Sequence, residues 1–133
     1  MKALSIRQPW SWLIVNGFKP VENRTWSTAY RGELAIHAGR TFDQAGLESV
    51  QDFFPALRDL LPKQYDLGGI VGVAELTECV STSRSLWFTG PYGFYLREAR
   101  PITFVPYRGV LGFFEIPDEL LLGDLTTATP AEA

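Results

Sequence analysis

The segment from Gly69 to Cys79, with the sequence GIVGVAELTEC, constrains the fold of this chain most. Its run of apolar residues predicts the clearest strand in the sequence. Gly69 and Gly72 interrupt that run, and glycine inside a strand marks a bend or a close approach of another backbone. A strand bent in this way is typical of a small barrel, so we expect shorter strands around it.

Other apolar runs predict those strands and a few helices. Pro9 and Gly17 predict the ends of a short helix over residues 9–16. Apolar residues spaced by three and four predict a helical stretch over 43–61, which Pro55 divides in two. The remaining strands are expected at 3–6, 34–38, 94–99, 102–105 and 111–116. The expected fold class is α+β, a small mixed β-barrel of about six strands flanked by two or three short helices.

The length of 133 residues predicts one domain, which we assign to residues 1–120. Residues 121–133 lack apolar periodicity and are expected to form a flexible tail. Cys79 is the only cysteine, which excludes an intramolecular disulfide and is typical of a reducing compartment. No stretch resembles a signal peptide or a membrane span, so we expect a cytoplasmic protein without a membrane partner.

The residues that commonly hold metals and cofactors are scarce. With one cysteine and one histidine, His37, a zinc site would need an unusual shell of carboxylates. The glycines at 68–69 and 90–93 match neither a phosphate-binding loop nor a dinucleotide fingerprint. We therefore expect no metal and no cofactor, and we interpret His37 as a hydrogen-bonded structural residue.

Charge is unevenly distributed along the chain. The net charge is −3, yet residues 1–40 carry six basic and two acidic side chains, whereas residues 41–133 carry six basic and thirteen acidic ones. This asymmetry indicates either one surface that faces an anion or a chance placement of solvated charge. A chain with this net charge is not expected to coat long duplex DNA, because that binding requires the neutralisation of many phosphates.

A nine-residue segment, FKPVENRTW at 18–26, concentrates polar chemistry. In an extended segment Glu22, Arg24 and Trp26 share one face, and Lys19 joins them if Pro20 bends the chain. Arg24 can bind a phosphate or carboxylate, Trp26 can stack on a base, and Lys19 or Glu22 can act as acid or base. The alternative is a solvated loop with a Glu–Arg pair and Trp26 in the core.

Further candidates lie at other points of the chain. Arg7 and Gln8 stand where a strand meets a helix and can contact a polar ligand, although Arg7 can equally pair with a carboxylate. Arg40 adds to the positive charge. Trp87 offers either a second aromatic wall or core packing. Glu75 lies within the apolar strand, where it faces Lys19 or solvent.

These segments together resemble the ASCH domain family, whose fold is PUA-like. The family motif G-x-K-x-x-E-x-R is present as GFKPVENR at 17–24. The segments LSIRQPW at 4–10, IHAG at 36–39 and WFTGPYG at 87–93 are also similar to one branch of the family. The resemblance covers about residues 3–117.

The resemblance implies a cleft beside the helix at 9–16 and a ligand that is RNA or a nucleotide. It also implies a possible enzyme, because some bacterial relatives are amidohydrolases that deacylate N4-acetylcytidine with a Lys, a Thr and a Glu, and ribonuclease activity is attributed to others. Lys19 would match the lysine and Glu75 the glutamate. Glu22 occupies the threonine position, which is a departure from the amidohydrolase pattern.

Three functions follow as hypotheses. The first is a binding module for RNA or a modified nucleotide, with Arg7, Gln8, Arg24, Arg40, Trp26 and Trp87 as ligand-binding residues. The second is a metal-independent hydrolase of an acylated nucleoside or of RNA, with Lys19, Glu22 and Glu75 as catalytic residues. The third is a protein-interaction module that uses the aromatic loop at 87–95.

Overall fold

A six-stranded mixed sheet forms the centre of the fold in the computed structural model, which describes residues 1–121. The order across the sheet is β2-β5-β4-β3-β1-β6. β1 and β3 are parallel, and all other neighbours are antiparallel. The strands are β1 (Lys2–Gln8), β2 (Val21–Arg24), β3 (Gly32–Phe42), β4 (Gly69–Val80), β5 (Tyr92–Pro106) and β6 (Phe113–Glu115). The α+β class is confirmed.

The six-stranded sheet is barrel-like, as expected, but it is not closed, because β2 and β6 remain its two edges. In residues 1–121 no ladder of hydrogen bonds joins these edges, and both strands are short, with four and three residues. Aromatic side chains lie across the gap instead. Trp26, which follows β2, packs edge-to-face against Phe113 of β6 with ring centroids 5.2 Å apart. The sheet is therefore barrel-like, and aromatic side chains rather than backbone hydrogen bonds bridge the gap between its two edges.

β5 runs without interruption where two separate strands, 94–99 and 102–105, were expected, so this prediction is wrong. Pro101 was the reason to divide it, because proline removes a donor from a ladder. β2 pairs with β5 only from Tyr92 to Tyr95. Beyond that point one edge of β5 has no partner strand among the described residues, and an edge tolerates proline.

The two helices have the boundaries that their end signals predict. α1 (Trp10–Val15) follows Pro9 and ends before Gly17, which has a φ of +83° and donates to the Ile14 carbonyl. α2 (Gln44–Phe53) begins after Asp43, whose carboxylate accepts the Gly46 N–H at 2.9 Å. Short 3₁₀ helices follow at Pro55–Leu57 and Asp118–Leu121. No helix in residues 1–121 is long and apolar enough to cross a membrane.

The sheet is covered by apolar residues on both faces. Leu4 and Ile36 belong to the larger cluster with α1, whereas their strand neighbours Ala3 and Ala35 belong to a second cluster on the other face. Gly72 allows α1 to approach β4, since a Cβ there would collide with Val15. Leu121, assigned to the tail, is buried in the second cluster. The rest of that predicted tail, 122–133, lies outside the described residues.

Candidate ligand-binding cleft

An open cleft of about 1390 Å³ lies beside α1, as the resemblance implied. It is lined by side chains from β1, α1, β2, β3 and α2 and from the loops that precede and follow β5. Among the described lining residues Glu22 is the only acidic side chain. Five are basic: Arg7, Lys19, Arg24, Arg40 and Arg108. The cleft is therefore electropositive, although the chain as a whole is acidic.

Glu22 lies between two cations at the base of this cleft. Its Oε1 is 3.4 Å from Lys19 Nζ, and its Oε2 accepts a 3.1 Å hydrogen bond from Arg24 Nε. Lys19 is 4% exposed and also donates to the Val21 carbonyl. Arg24 makes a further 2.6 Å hydrogen bond from Nη2 to the Ser5 carbonyl. The three charged motif residues thus form one connected network rather than a solvated loop.

The turn after α1 directs Lys19 into the protein. The N–H groups of Phe18 and Lys19 both donate to the Leu13 carbonyl, at 2.9 and 3.0 Å, and so reverse the chain. Nζ of Lys19 then lies 5.6 Å from the centroid of the Trp10 ring, within the range of a cation–π contact. β2 is extended from Val21, which brings Glu22 and Arg24 to the same face of the sheet. The chain thus turns at residues 17–19, before Pro20, and this turn brings Lys19 to Glu22.

Burial lowers the pKa of Lys19 from its ordinary value of 10.5, and the Glu22 carboxylate offsets part of that effect. The Glu22 carboxylate stabilises the ammonium form of Lys19, which has little contact with water. A ligand that displaced the carboxylate would make Lys19 a better proton donor. Lys19 is therefore suited to acid–base chemistry as well as to binding.

Arg7 contributes to the rim of the cleft and also makes the carboxylate contact that the sequence left as an alternative. Its Nη2 is 3.5 Å from Asp43 Oδ2, which also accepts a 2.9 Å hydrogen bond from Trp10 Nε1. That indole hydrogen bond is the largest cause of the lowered pKa of Asp43. Arg7 remains more than half exposed. It can therefore still meet a ligand.

Trp26 and Trp87, the two tryptophans predicted to bind a ligand, line the cleft and are packed at the same time. Trp26 contacts Phe94 and Phe113 edge-to-face, with centroids 5.1 and 5.2 Å away. Trp87 stacks on Phe54 at 4.3 Å with an interplanar angle of 11°, so that one face of its indole is covered. Phe54 was not among the predicted site residues. Core packing and cleft lining are thus combined in the same side chains.

Comparison with known proteins identifies the family. The family model of the ASCH domain matches residues 4–108. This chain belongs to the ASCH domain family. The matched region extends from β1 to just beyond β5, so it contains the whole charged motif.

The ASCH domain is similar to part of Activating signal cointegrator 1 from two mammals. It is 37% identical over 82 residues to the Mus musculus protein and 36% identical over 84 residues to the Homo sapiens protein. Each match covers 59% of this chain but only 14% of the relative. The chain thus corresponds to a small part of those proteins.

Two crystal structures from Zymomonas mobilis share the fold. The ASCH protein of that organism superposes with a TM-score of 0.53 at 16% identity, covering 95% of this chain and 93% of the other. A point mutant of the same protein gives 0.54 at 16% identity, with 94% and 96% covered. At this identity the likeness concerns the fold alone.

Two predicted residues of the ASCH domain lie outside the cleft. Gln8 is 2% exposed, and its amide donates to the Asp66 carbonyl at 3.1 Å and accepts the Trp12 N–H at 2.9 Å. It therefore fixes the start of α1. Glu75 is exposed on β4, opposite Arg97 of β5, and does not line the cleft with Lys19. The structure thus does not bring either residue to the charged motif.

Asn23 positions one wall of the cleft and was not among the predicted site residues. Its Nδ2 donates to the Trp87 carbonyl at 2.9 Å, while Oδ1 accepts the N–H groups of Thr89 at 2.8 Å and Gly90 at 3.2 Å. One amide therefore fixes the loop that forms the aromatic wall. Only its position inside the motif distinguished Asn23 from any other polar residue.

Large apolar side chains surround the mouth of the cleft and face solvent. Leu111 is 97% exposed and Leu86 is 84% exposed, with Phe53 and Val110 also more than half exposed. Exposed apolar residues grouped around one opening mark an interaction surface. Within residues 1–121 no group of three or more His, Cys, Asp or Glu side chains is placed to hold a metal ion.

Proposed function

We propose that this ASCH domain binds single-stranded RNA, or a nucleotide derived from it, in the electropositive cleft. The observation that carries the proposal is the charge of the lining, five basic residues against one acidic residue in a chain of net charge −3. So focused a positive charge favours an anionic ligand of limited size. Arg108, on the loop after β5, strengthens the case because it lies far in sequence from the basic N-terminal segment.

In this proposal the cations have two roles. Arg7, Arg40 and Arg108 are exposed at the cleft and provide guanidinium groups for phosphates. Lys19, Glu22 and Arg24 lie deeper, where Glu22 can accept from the amino group of a base. The apolar rim formed by residues such as Leu86 and Leu111 can contact unstacked bases. A duplex would hide those base faces, which is why a single strand is favoured.

Fluorescence anisotropy with a labelled eight-nucleotide RNA tests this function. We expect binding that weakens as salt rises, and weaker binding in Arg40→Ala and Arg108→Ala. Each lost phosphate contact should reduce the salt slope by about 0.7. Arg84→Ala is the matched control, because Arg84 is exposed but lies outside the cleft lining. Equal affinity of all three variants and the parent would refute RNA binding in this cleft.

The buried Lys19–Glu22 pair supports a hydrolase as a second candidate. A lysine with a lowered pKa beside a carboxylate can transfer a proton, and Arg24 can stabilise an oxyanion. Assays with N4-acetylcytidine and with RNA, each in the presence of EDTA, test this candidate. Turnover that disappears in the Lys19→Ala, Glu22→Ala double variant would support it. Turnover that persists in the double variant would refute it.

A further inference from the structure

His37 and Ser5 form a hydrogen-bonded pair on the two parallel strands of the sheet. The Nε2 atom of His37 is 2.7 Å from the Tyr107 carbonyl, and a carbonyl only accepts, so Nε2 carries the proton. In the neutral imidazole Nδ1 then has a free lone pair. Ser5 Oγ lies 2.9 Å from Nδ1 and donates to it. This is the arrangement of a hydroxyl beside its general base, with the base oriented by a third group.

The pair faces the cleft, which a purely structural tie does not require. Both residues line it, and His37 is 2% exposed whereas Ser5 is only partly buried. Glycines surround the hydroxyl. A Cβ at Gly109 would lie 2.6 Å from His37 Cε1 and 3.2 Å from Ser5 Oγ, and a Cβ at Gly39 would also lie 3.2 Å from that oxygen. Any side chain at Gly109 would therefore disturb the pair.

Arg24 binds the main chain of Ser5. Arg24 Nη2 is 2.6 Å from the carbonyl oxygen of Ser5 itself, and the same guanidinium is fixed on its other side by Glu22. A positive charge fixed in this way on β1 favours an anionic substrate in the cleft. The hydroxyl, its base and the orienting carbonyl thus form one group, and a fixed cation is bound to the backbone of the same strand residue.

We infer that Ser5 is a nucleophile, with His37 as its general base, for acyl transfer from a carboxylic ester that carries a negative charge. The preference for a negative charge rests on the same cations as the proposed function. The assignment of the nucleophile and its base does not. Ser49 also lines the cleft but has no histidine available, because His37 is the only one in the chain.

The reaction proceeds in two balanced stages. Ser5 Oγ bonds to the ester carbon while its proton passes to His37 Nδ1, and the electrons of the carbonyl double bond move to the carbonyl oxygen. The intermediate then expels the alcohol, which takes the proton from Nδ1, and leaves an acyl-serine. Water attacks the acyl group by the same route, gives its proton to Nδ1 and releases the carboxylic acid, and Ser5 recovers its proton.

Labelling of the full chain with a fluorophosphonate tests the inference without any ligand. The serine oxygen bonds to phosphorus and fluoride leaves, so intact-mass and peptide mass spectrometry locate the adduct. We expect one adduct, at Ser5, that is absent in Ser5→Ala and forms on the order of 100-fold more slowly in His37→Gln. Ser81→Ala is the control and should label like the parent, because Ser81 is exposed outside the cleft.

The remaining outcomes are also decisive. Absence of an adduct on the folded parent, or an adduct on Ser49 instead, would overturn the inference. If His37→Gln does not fold by circular dichroism, a burst of p-nitrophenol from p-nitrophenyl acetate that Ser5→Ala abolishes supports it, and an unchanged burst overturns it. RNA binding without Ser5 labelling would support the proposed function and overturn the inference. Ser5 labelling without RNA binding would support the inference and refute the proposed function.

Discussion

Arg24 Nη2 donates a 2.6 Å hydrogen bond to the carbonyl oxygen of Ser5, which joins edge strand β2 to β1 on the open side of the sheet. β1 and β2 are not neighbours in the strand order. The Arg24 side chain therefore links two strands that backbone hydrogen bonds would join in a closed barrel. The same guanidinium holds Glu22, which in turn contacts Lys19. Arg24 therefore connects the architecture of the sheet to the charged floor of the cleft.

Arg24→Lys is expected to destabilise the domain although the variant keeps the positive charge. A lysine cannot reach both Glu22 and the Ser5 carbonyl with one compact ammonium group. Loss of a partly buried ion-pair contact and of a hydrogen bond should lower the free energy of unfolding by roughly 2–4 kcal/mol. Urea unfolding measures the change. Arg84→Lys, at an exposed position outside the cleft, should stay within about 0.5 kcal/mol of the parent.

Lys19→Met is expected to change the pH dependence of stability. Burial lowers the pKa of Lys19 in the folded state below the unfolded value of 10.5. Between the two pKa values the unfolded chain binds more protons, so the free energy of unfolding of the parent rises with pH in that window. The slope contributed by Lys19 is at most about 1.4 kcal/mol per pH unit, and Lys19→Met removes it.

Urea unfolding of the parent and of Lys19→Met between pH 7 and 10.5 measures this contribution as a difference. Other lysines and tyrosines titrate in both proteins and cancel in that difference. Parallel curves would show that Lys19 has the same proton affinity in the folded and unfolded chains, and would contradict the prediction.

Asp43 is expected to contribute stability that is lost in acid. Its pKa is lowered in the folded state, first by the hydrogen bond from Trp10, so its contribution is complete above the unfolded pKa of 3.8 and falls as pH drops through the folded pKa. Asp43→Asn keeps an oxygen for the Gly46 N–H but cannot titrate. It should therefore reduce the fall in the free energy of unfolding at low pH, measured by urea unfolding. Asp43→Ala also removes the helix cap, at a cost of about 1 kcal/mol at neutral pH. If the free energy of unfolding of Asp43→Asn falls at low pH as much as that of the parent, another carboxylate causes the loss.

Local patterns in the sequence predicted most of the elements. The apolar run at 69–79 became β4, and Pro9, Gly17 and Pro55 marked helix boundaries where the structure has them. Such signals lie within one turn or one strand, so a sequence displays them directly. The prediction that β5 is two separate strands was wrong because the effect of Pro101 depends on a strand that is distant in sequence. Pro101 has no N–H to donate, so it interrupts a strand only where a neighbouring strand would need that donor, and this depends on how far β2 extends.

The charged motif was predicted as a unit because its members lie within six residues of one another. The partners that position the rest of the site lie much farther away. Asn23 contacts Trp87 across 64 residues, and His37 contacts the Tyr107 carbonyl across 70. Glu75 looked suitable because a carboxylate in an apolar strand needs a partner, yet the alternation along β4 turns it to solvent. Side-chain direction across a curled sheet needs the register, which one sequence does not display.

Asn23 is expected to control the order of the aromatic wall, and two variants separate its contacts. Asn23→Ala removes the donor to Trp87 and the acceptor for the Thr89 and Gly90 amides, which should cost roughly 2 kcal/mol. Asn23→Asp keeps the acceptor and loses only the donor, so we expect about half that loss. Hydrogen exchange at 86–91 should quicken strongly in Asn23→Ala and little in Asn23→Asp, because the Thr89 and Gly90 amides keep their acceptor. Equal exchange in both variants would mean that the Trp87 carbonyl contact, rather than the two amides, holds the wall against the cleft.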